Sequence, residues 1–227
     1  MKNAVRSDSF TQDESDSRVS LFDDIHIVKL GIDFEQLARD EGYKLVAGVD
    51  EVGRGCIAGP VVAGACILDI SKPLPEGLND SKKLSARQRE DIAAELKESA
   101  VSYSVGLVEA DEIDRINILE ATKVAMRLAI AGLSPQADYL LIDALQLKGT
   151  PLPQKAIIKG DSISASIAAA SIIAKTFRDE LMSSYDAEFP QYGFAGHKGY
   201  GCSSHYEAIR LHGASPLHRK TFRGVMQ

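Results

Sequence analysis

The stretch Ser162–Ala174, SISASIAAASIIA, contains only serine, alanine and isoleucine. A helix of this composition is apolar or small on every side, so it has to be buried in the core of the protein. Its small side chains also allow its backbone to lie close to a neighbouring β-sheet. The helical pattern continues beyond the stretch, and we predict one long helix over Ser162–Asp186.

Segments typical of β-strands precede this helix. Leu45–Val49 and Pro60–Ile70 flank the glycine-punctuated loop Gly53–Gly59 and predict a hairpin. Val101–Val108 alternates apolar and small polar residues, which predicts a third strand. The two remaining predicted strands are Asp138–Ile142 and Ala156–Ile158.

Helical segments alternate with the later strands. Ser85 and Gln88 form a capping-box pattern, which predicts a helix that ends near Ser99. The other predicted helices are Asp33–Glu41, Asp111–Ile116, Ile118–Leu133 and Ser204–His212. A hairpin followed by alternating helices and strands predicts an α/β fold, in which helices flank a central mixed β-sheet.

The composition is typical of a folded, non-secreted chain. The 227 residues are 44% hydrophobic and 26% charged, which suits one buried core. No apolar run approaches the ~20 residues that a membrane span requires, and the N-terminus has no apolar signal region. The three cysteines share no metal-ligand spacing. We therefore expect a cytoplasmic protein that has no membrane partner.

The two ends of the chain differ in charge and polarity from the rest of the sequence. The first 20 residues are polar and rich in serine and aspartate, which is typical of disorder. We expect residues 1–40 to form a partly disordered N-terminal lead with a short helix, and residues 41–227 to form one domain. The net charge is −6, yet the sequence after Tyr192 is rich in Lys, Arg and His. That basic C-terminal region could face phosphate groups.

Four carboxylates follow apolar runs that would not otherwise hold a charge: Asp50, Glu51, Asp143 and Asp161. The ends of neighbouring strands meet at one edge of a sheet, so these side chains could form one cluster. Clustered carboxylates repel one another unless cations neutralise them, and oxygen ligands suit Mg²⁺ or Mn²⁺. Two such ions can stabilise both oxygens of a phosphodiester displacement. The four acids together predict a metal site.

Each acid alone has a plainer explanation. Acids at strand ends often cap loops, and Asp161 before Ser162 suits a helix N-cap. Asp50 and Glu51 are adjacent, so a regular strand would point their side chains to opposite faces. Both could reach one site only if the backbone turns nearby, which Gly53 would permit.

Asp179 is a further acid on the predicted long helix. It lies ~27 Å along the helix axis from Asp161, because each residue adds a rise of about 1.5 Å. It therefore cannot share the same metal site. We expect Asp179 to pair locally with Lys175 or Arg178.

Three loops carry residues suited to nucleic acid. The glycines of Gly53–Gly55 leave the backbone bare, and the GxGxxxG spacing that begins there does not match the dinucleotide-binding fingerprint. Lys82 lies in a loop before a helix and could meet phosphates, although exposed lysines are common. His197–Gly201 holds Lys198 and Tyr200; the tyrosine could lie against a sugar or base, or simply cover the edge of the core.

Taken together, these segments closely resemble ribonuclease HII, the type 2 ribonuclease H of bacteria. The resemblance runs from about Ala47 to Phe222. The matching stretches occur in the same order and are nearly complete, which is more specific than any single motif. The matching stretches are AGVDEVGRGCIAGPVVAGA, NDSKKLS, NILEATKVAM, LLIDA, KGDSISASIAAASIIAKTFRD, FPQYGFAGHKGYG and SPLHRKTF.

The resemblance implies a ribonuclease H-like fold and a type 2 catalytic domain over residues 41–227. It implies an endonuclease that uses two Mn²⁺ or Mg²⁺ ions to cut the RNA strand of RNA–DNA hybrids, and to cut duplex DNA 5′ of embedded ribonucleotides. The products would be a 3′-hydroxyl and a 5′-phosphate. The family's catalytic and metal-binding acids match Asp50, Glu51, Asp143 and Asp161. We expect the enzyme to act as a monomer.

The resemblance also assigns substrate contacts. Gly53, Arg54 and Gly55 match a loop that senses the ribose 2′-hydroxyl, the group that distinguishes RNA from DNA. Tyr200 matches a tyrosine that packs against the adjoining deoxynucleotide. Lys82 would hold backbone phosphates, and Lys198 is a further expected substrate contact.

Two rival functions stay open at this point. One is a non-catalytic module that binds hybrids or duplexes; the presence of all four carboxylates argues against it. The other is a different nuclease on the same fold, such as a DNA resolvase. The GRG loop and the tyrosine of HKGY argue against that function, because ribose discrimination requires them.

Overall fold

The computed structural model describes residues 29–226 and contains a five-stranded mixed sheet. The strands are β1 (Val46–Val52), β2 (Val61–Ile67), β3 (Ser102–Val108), β4 (Tyr139–Asp143) and β5 (Gln154–Ile157). Their order across the sheet is β3-β2-β1-β4-β5. β2 pairs antiparallel with β1 and β3, whereas β4 pairs parallel with β1 and β5. The predicted hairpin and mixed sheet are confirmed.

Helices cover both faces of this sheet. Within the described residues they are α1 (Asp33–Asp40), α2 (Ala86–Ser99), α3 (Ala110–Ile116), α4 (Ile118–Ala131), α5 (Ala165–Glu188), α6 (Phe194–His197) and α7 (Ser203–His212). α2 and α5 pack on one face, and α4 packs on the other. Short 3₁₀ turns occur at Ser81–Lys83, Gly160–Ser162 and Pro190–Tyr192. The α/β architecture is as predicted.

α5 lies in direct backbone contact with the sheet. A Cβ atom at Gly48 of β1 would lie 2.0 Å from the carbonyl carbon of Ser166, and one at Gly64 of β2 would lie 2.3 Å from the carbonyl oxygen of Ala170. Strand glycines and small helix residues therefore face each other across the contact. The predicted burial of the first half of this helix is confirmed.

The start of α5 differs from the prediction. The helix was expected to begin at Ser162, with Asp161 as a suitable N-cap. The N-cap is instead Ser164, whose extended backbone ends the preceding turn and whose Oγ accepts a hydrogen bond from Ile167 N at 3.3 Å. Asp161 lies within the 3₁₀ turn before it. Its carboxylate is therefore not used as the cap of this helix.

α1 carries a buried carboxylate that binds the start of α5. Glu35 is 1% exposed. Its Oε1 accepts hydrogen bonds from Ser164 Oγ at 2.7 Å, from Ser166 N at 2.8 Å and from Ser166 Oγ at 2.5 Å. The short helix predicted near residue 40 is present as α1. Residues 1–28 of the predicted lead lie outside the described residues, and the division of the chain at residue 40 stays a prediction.

Two buried histidines form a hydrogen-bonded chain beside α7. The Ser215 N–H can only donate, so His218 Nδ1 accepts its hydrogen bond at 2.9 Å. A neutral His218 then carries its proton on Nε2, which donates to His205 Nε2 at 3.0 Å. His205 Nδ1 in turn donates to the Tyr200 carbonyl oxygen at 2.8 Å. The chain is complete only when both rings are neutral.

Burial, together with neighbouring histidines, lowers the pKa of both rings. The pKa of His205 falls from 6.5 to about 4, mainly because the ring is buried and also because His197 lies nearby. The pKa of His218 also falls to about 4, mainly through burial and secondly through His205. Both rings are therefore neutral at pH 7, as the hydrogen-bonded chain requires.

The cysteines are small core or surface residues. All three lie in the described part of the chain, and each is a free thiol. Burial raises the pKa of the Cys66 thiol to about 12, which keeps it protonated and unreactive. Among residues 29–226, no helix combines the length and the apolar character needed to cross a bilayer.

We expect Glu35→Ala to lower the free energy of unfolding by about 2–3 kcal/mol. Three donors at the start of α5 lose their acceptor, and a buried donor without a partner costs about 1–3 kcal/mol. The matched control is Gln36→Ala on the exposed side of the same helix, which should change stability by less than about 0.5 kcal/mol. Urea denaturation measures both. Equal effects of the two substitutions would contradict the role assigned to Glu35.

We also expect the histidine chain to make stability depend on pH. The unfolded chain binds more protons than the folded chain between pH 6.5 and about 4, so the histidines destabilise the fold as the pH falls through this range. At pH 5 the loss is about 2 kcal/mol for each ring. His205→Gln should be less stable than wild type at pH 7.5 but should lose less stability between pH 7.5 and 5. Identical losses in the two proteins would show that the histidines do not titrate as described.

Candidate active site

β1 and β4 separate at their carboxyl ends. Their parallel pairing ends at Val49 and Ile142, and Asp50 and Asp143 are the next residues along the two strands. The crevice beyond the carboxyl ends of parallel strands is a common ligand site in α/β sheets. Here it opens into a cleft of about 280 Å³, whose walls come from β1 and the loop after it, β4, the turn Ser81–Lys83 and α5.

The adjacent acids Asp50 and Glu51 both line this cleft. Asp50 is 4% exposed, and its Oδ1 accepts a hydrogen bond from Glu51 N at 2.7 Å. Glu51 Oε1 accepts a hydrogen bond from Arg54 Nη1 at 3.1 Å. Both acids reach the cleft although each is still paired with β2, Asp50 with Gly64 and Glu51 with Ala63. The pairing of β1 with β4 has already ended at Val49, which leaves this end of β1 open on that side.

Asp143 and Asp161 meet at the turn that precedes α5. Asp143 Oδ1 accepts a hydrogen bond from Gly160 N at 2.7 Å. Gly160 suits this position because a Cβ atom there would lie 2.5 Å from Ile167 Cδ1. Asp161 is 5% exposed and bonds to Lys82 Nζ, which lies 2.5 Å from its Oδ2. Asp143 thus lines the cleft itself, and Asp161 lies beside it.

The carboxylates disfavour one another's ionisation. The pKa of Asp50 is raised well above its ordinary value, mainly by burial and next by the charge of Glu51; Asp143 adds to the effect. Burial is also the first cause of the raised pKa of Glu51, against which Arg54 acts. The pKa of Asp143 is raised by burial and by Asp161, although the Gly160 N–H opposes the shift. Ionisation of all of these acids would therefore create an excess of buried negative charge.

A divalent cation would relieve this excess. The four acids offer carboxylate oxygens, the donors that Mg²⁺ and Mn²⁺ prefer, so the donor set fits these ions. In the arrangement shown, no group of three or more His, Cys, Asp or Glu side chains between residues 29 and 226 has converged to ligand geometry. Lys82 Nζ forms an ion pair with Asp161 beside the cleft. Partial burial lowers the pKa of Lys82, but the hydrogen bond to Asp161 and the charges of Asp161, Asp80 and Asp50 together outweigh burial, and the pKa is raised.

The GRG loop and Tyr200 border the same cleft. Arg54 has a side chain that is 43% exposed, so it is available to a ligand. Tyr200 is 45% exposed, and Lys175 Nζ lies 6.0 Å from the centre of its ring. The structure thus places Gly53, Arg54 and Gly55 at one border of the carboxylate cleft and Tyr200 at another.

Lys198 has a different position from the other predicted substrate contacts. Its Nζ donates to the Asp179 carbonyl oxygen at 3.1 Å and to Ser183 Oγ at 2.6 Å. The ammonium group is therefore held against α5, outside the walls of the carboxylate cleft. Asp179 itself pairs with Lys175 at 2.7 Å, which confirms the first of its two predicted partners.

Several residues that line the cleft were not predicted from the sequence. Arg89, Ser171 and Lys175 also line the cleft. Ser171 and Lys175 are four residues apart on α5, a spacing that places both on one helix face. This spacing is the sequence feature from which their shared position could have been predicted. Arg178 and Arg219 lie behind the cleft, and no local pattern marks them.

Comparison with known proteins agrees with this geometry. The family model described as ribonuclease HII matches residues 47–225. A ribonuclease HII of Syntrophotalea carbinolica is 54% identical over 194 residues, which cover 86% of this chain and 92% of that protein. A ribonuclease HII of Geobacter metallireducens is 53% identical over 210 residues, which cover 92% of this chain and 98% of that protein.

A solved structure shares the fold. The crystal structure of ribonuclease H2 from Pyrococcus horikoshii superposes with a TM-score of 0.68 at 29% identity, covering 80% of this chain and 95% of that one. The fold is thus the ribonuclease H-like fold that the resemblance implied. From its matched length, its identity to these relatives and its fold, the chain belongs to the ribonuclease HII family.

Proposed function

We propose that the protein is an endoribonuclease that hydrolyses the RNA strand of RNA–DNA hybrids and cuts duplex DNA on the 5′ side of embedded ribonucleotides. The products are a 3′-hydroxyl and a 5′-phosphate. Membership of the ribonuclease HII family supports this activity. The observation that carries it is that Asp50, Glu51 and Asp143 line one crevice, with Asp161 beside them.

In the cell this activity would remove ribonucleotides from DNA and RNA primers from newly copied strands. We place the enzyme in the cytoplasm, where its free thiols are stable. We further propose that it acts as a monomer.

Asp50, Glu51, Asp143 and Asp161 would hold two Mn²⁺ or Mg²⁺ ions. When bound, such ions activate a water molecule and stabilise the leaving 3′ oxygen. The chain itself keeps the carboxylates oriented. Main-chain N–H groups hold Asp50 and Asp143, and rigid donors of this kind need little reorganisation during a reaction.

The loop around Arg54 would distinguish RNA from DNA. A ribose 2′-hydroxyl can donate and accept a hydrogen bond, whereas a deoxyribose cannot. The bare glycines on either side let the backbone approach the sugar closely. Tyr200 would pack against the adjoining deoxynucleotide, since its ring is partly exposed at the border of the cleft.

Cations around the cleft would hold the phosphates. Lys82 has a side chain that is 75% exposed, so its ammonium can exchange Asp161 for a phosphate oxygen when the acid binds a metal ion. Arg89 and Lys175 also line the cleft. These residues explain how a chain with a net charge of −6 can bind a polyanion. Lys198 could join them only after its ammonium leaves α5.

We expect Asp143→Asn to reduce cleavage at a single ribonucleotide in duplex DNA by at least about a hundredfold. The amide keeps the size of the side chain and can still accept from Gly160 N, but it lacks the negative charge. The matched control is Asp91→Asn on α2, whose 73% exposed side chain lies 4.0 Å from the exposed Arg87 and does not line the carboxylate cleft. Strand cleavage is measured on gels with Mn²⁺ and with Mg²⁺, beside an all-DNA duplex.

The result separates the rival functions. A wild-type protein that binds the duplex but never cuts it would be a binding module. Cleavage of the all-DNA control would indicate a different nuclease. Full activity of Asp143→Asn would overturn the assigned site.

We expect Tyr200→Ala to reduce kcat/KM on the single-ribonucleotide duplex by about tenfold or more, because stacking on an aromatic ring contributes about 1–3 kcal/mol. The loss should be smaller on an all-RNA strand paired with DNA, which has no adjoining deoxynucleotide. Tyr103→Ala is the control, since Tyr103 is similarly exposed on the edge strand β3. Equal losses on both substrates would argue against the contact proposed for Tyr200.

A further inference from the structure

Two arginines behind the cleft are completely buried. Arg178 on α5 and Arg219 after α7 are each 0% exposed. The hydrogen-bond partners of both guanidinium groups are main-chain carbonyl oxygens. Burying a charged group costs free energy unless it is well bonded. The positions of the carbonyl groups that Arg178 and Arg219 bind should therefore indicate the structural role of the two arginines.

Arg178 connects the loop of Tyr200 to the segment that follows the GRG loop. Its Nη1 donates to the Lys198 carbonyl oxygen at 2.8 Å. Its Nη2 donates to the Ala58 carbonyl oxygen at 3.1 Å, and its Nε donates to that of Pro60 at 3.0 Å. One planar group thus joins residue 198 to residues 58–60.

Arg219 connects the same segment to the GRG loop itself. Its Nη1 donates to the Arg54 carbonyl oxygen at 3.0 Å, and its Nε donates to that of Gly59 at 3.0 Å. Its own N–H donates to the Ile57 carbonyl oxygen at 2.9 Å. The guanidinium also lies 5.1 Å from the centre of the Phe222 ring. Arg219 therefore fixes the backbone of the GRG loop, whose Arg54 side chain borders the cleft.

Glycines allow these close contacts. A Cβ atom at Gly53 would lie 2.3 Å from Arg178 Nε, and one at Gly199 would lie 2.4 Å from the Ala58 carbonyl oxygen. Main-chain hydrogen bonds cross the same junction, because Ile57 N donates to the Gly199 carbonyl oxygen at 2.9 Å. The two loops thus share one packed backbone layer.

We propose that Arg178 and Arg219 are positioning residues that hold the loops of Arg54 and Tyr200 in one frame, so that the ribose and the adjoining deoxynucleotide are recognised as a unit. The proposal rests on the roles proposed above for Arg54 and Tyr200. It adds that the two contacts depend on each other. A loop displaced by the loss of one arginine should weaken the contact made by the other loop.

Lysine cannot replace arginine in this frame. A guanidinium presents five donors in a rigid plane, whereas an ammonium is a compact charge on a flexible stem. Arg219→Lys keeps the positive charge but cannot bridge the carbonyl groups of Arg54 and Gly59 in the same way. It therefore tests the bridging geometry rather than the charge.

The test is a double-mutant cycle on the single-ribonucleotide duplex. The loss of kcat/KM caused by Tyr200→Ala is measured in the wild type and again in Arg219→Lys. Arg219 bonds to the Arg54 side of the frame and not to the Tyr200 loop. We expect a loss of about tenfold or more in the wild type to fall below about threefold in Arg219→Lys, because coupled residues are not additive.

Arg210→Lys is the matched control. Arg210 is exposed on α7 and pairs only with Glu207 in the described residues, so the Tyr200→Ala loss should be the same as in the wild type. Equal losses in the wild type and in Arg219→Lys would overturn the shared frame. A Tyr200→Ala substitution without effect even in the wild type would overturn the proposed role of Tyr200, and the frame with it.

A cycle on the substrate side tests the same coupling if Arg219→Lys does not fold. Asp143→Asn protein with Mg²⁺ is titrated with four duplexes, which carry a ribonucleotide or a deoxynucleotide at the cut position and an intact or abasic residue next to it. A shared frame predicts that removing both groups weakens binding hardly more than removing either one. Losses that multiply would show that the two loops act independently, and would overturn the proposal.

Discussion

The direct contact between α5 and the sheet is the constraint on which the rest of the structure depends. Gly48 and Gly64 leave no side chain between the strands and the helix, so the backbone of α5 lies directly against β1 and β2. The turn that carries Asp161 is then placed against the end of β4, where Gly160 N bonds to Asp143. Further along the same helix, Arg178 reaches the loops at the far side of the cleft. One packed helix therefore spans the whole site.

The electrostatics of the site follow from this burial. Carboxylates held together in a partly dry crevice resist ionisation, as the raised pKa of Asp50 shows. The fold maintains this unfavourable arrangement with main-chain donors rather than with permanent ion pairs, apart from the contacts of Lys82 and Arg54. Because both of these cations are partly exposed, they can leave the acids when other positive charges arrive.

The fold, and the convergence of the predicted acids on one cleft, could be predicted from the sequence because their signals are local. Alternation and apolar runs gave the strands, and an apolar run ending in an acid gave Asp50, Asp143 and Asp161. The N-cap Ser164 was missed, because Asp161 and Ser162 offered the same local pattern two residues earlier. The substrate contact expected of Lys198 stays a prediction; its ammonium donates to Asp179 O and Ser183 Oγ on α5. The cap of α5 and the position of the Lys198 ammonium depend on contacts between residues distant in sequence, and no local sequence pattern indicates such contacts.

The site is held from two directions by residues distant in sequence from its acids. On the Asp161 side, Glu35 of α1 binds Ser164 and Ser166, the residues that start α5. On the other side, Arg178 and Arg219 bind the backbone of the loops that border the cleft. Each support uses a buried charge with several hydrogen bonds, which is costly to form but rigid once formed. The two sets of contacts are connected through α5, because Glu35 binds the start of this helix and Arg178 lies further along it.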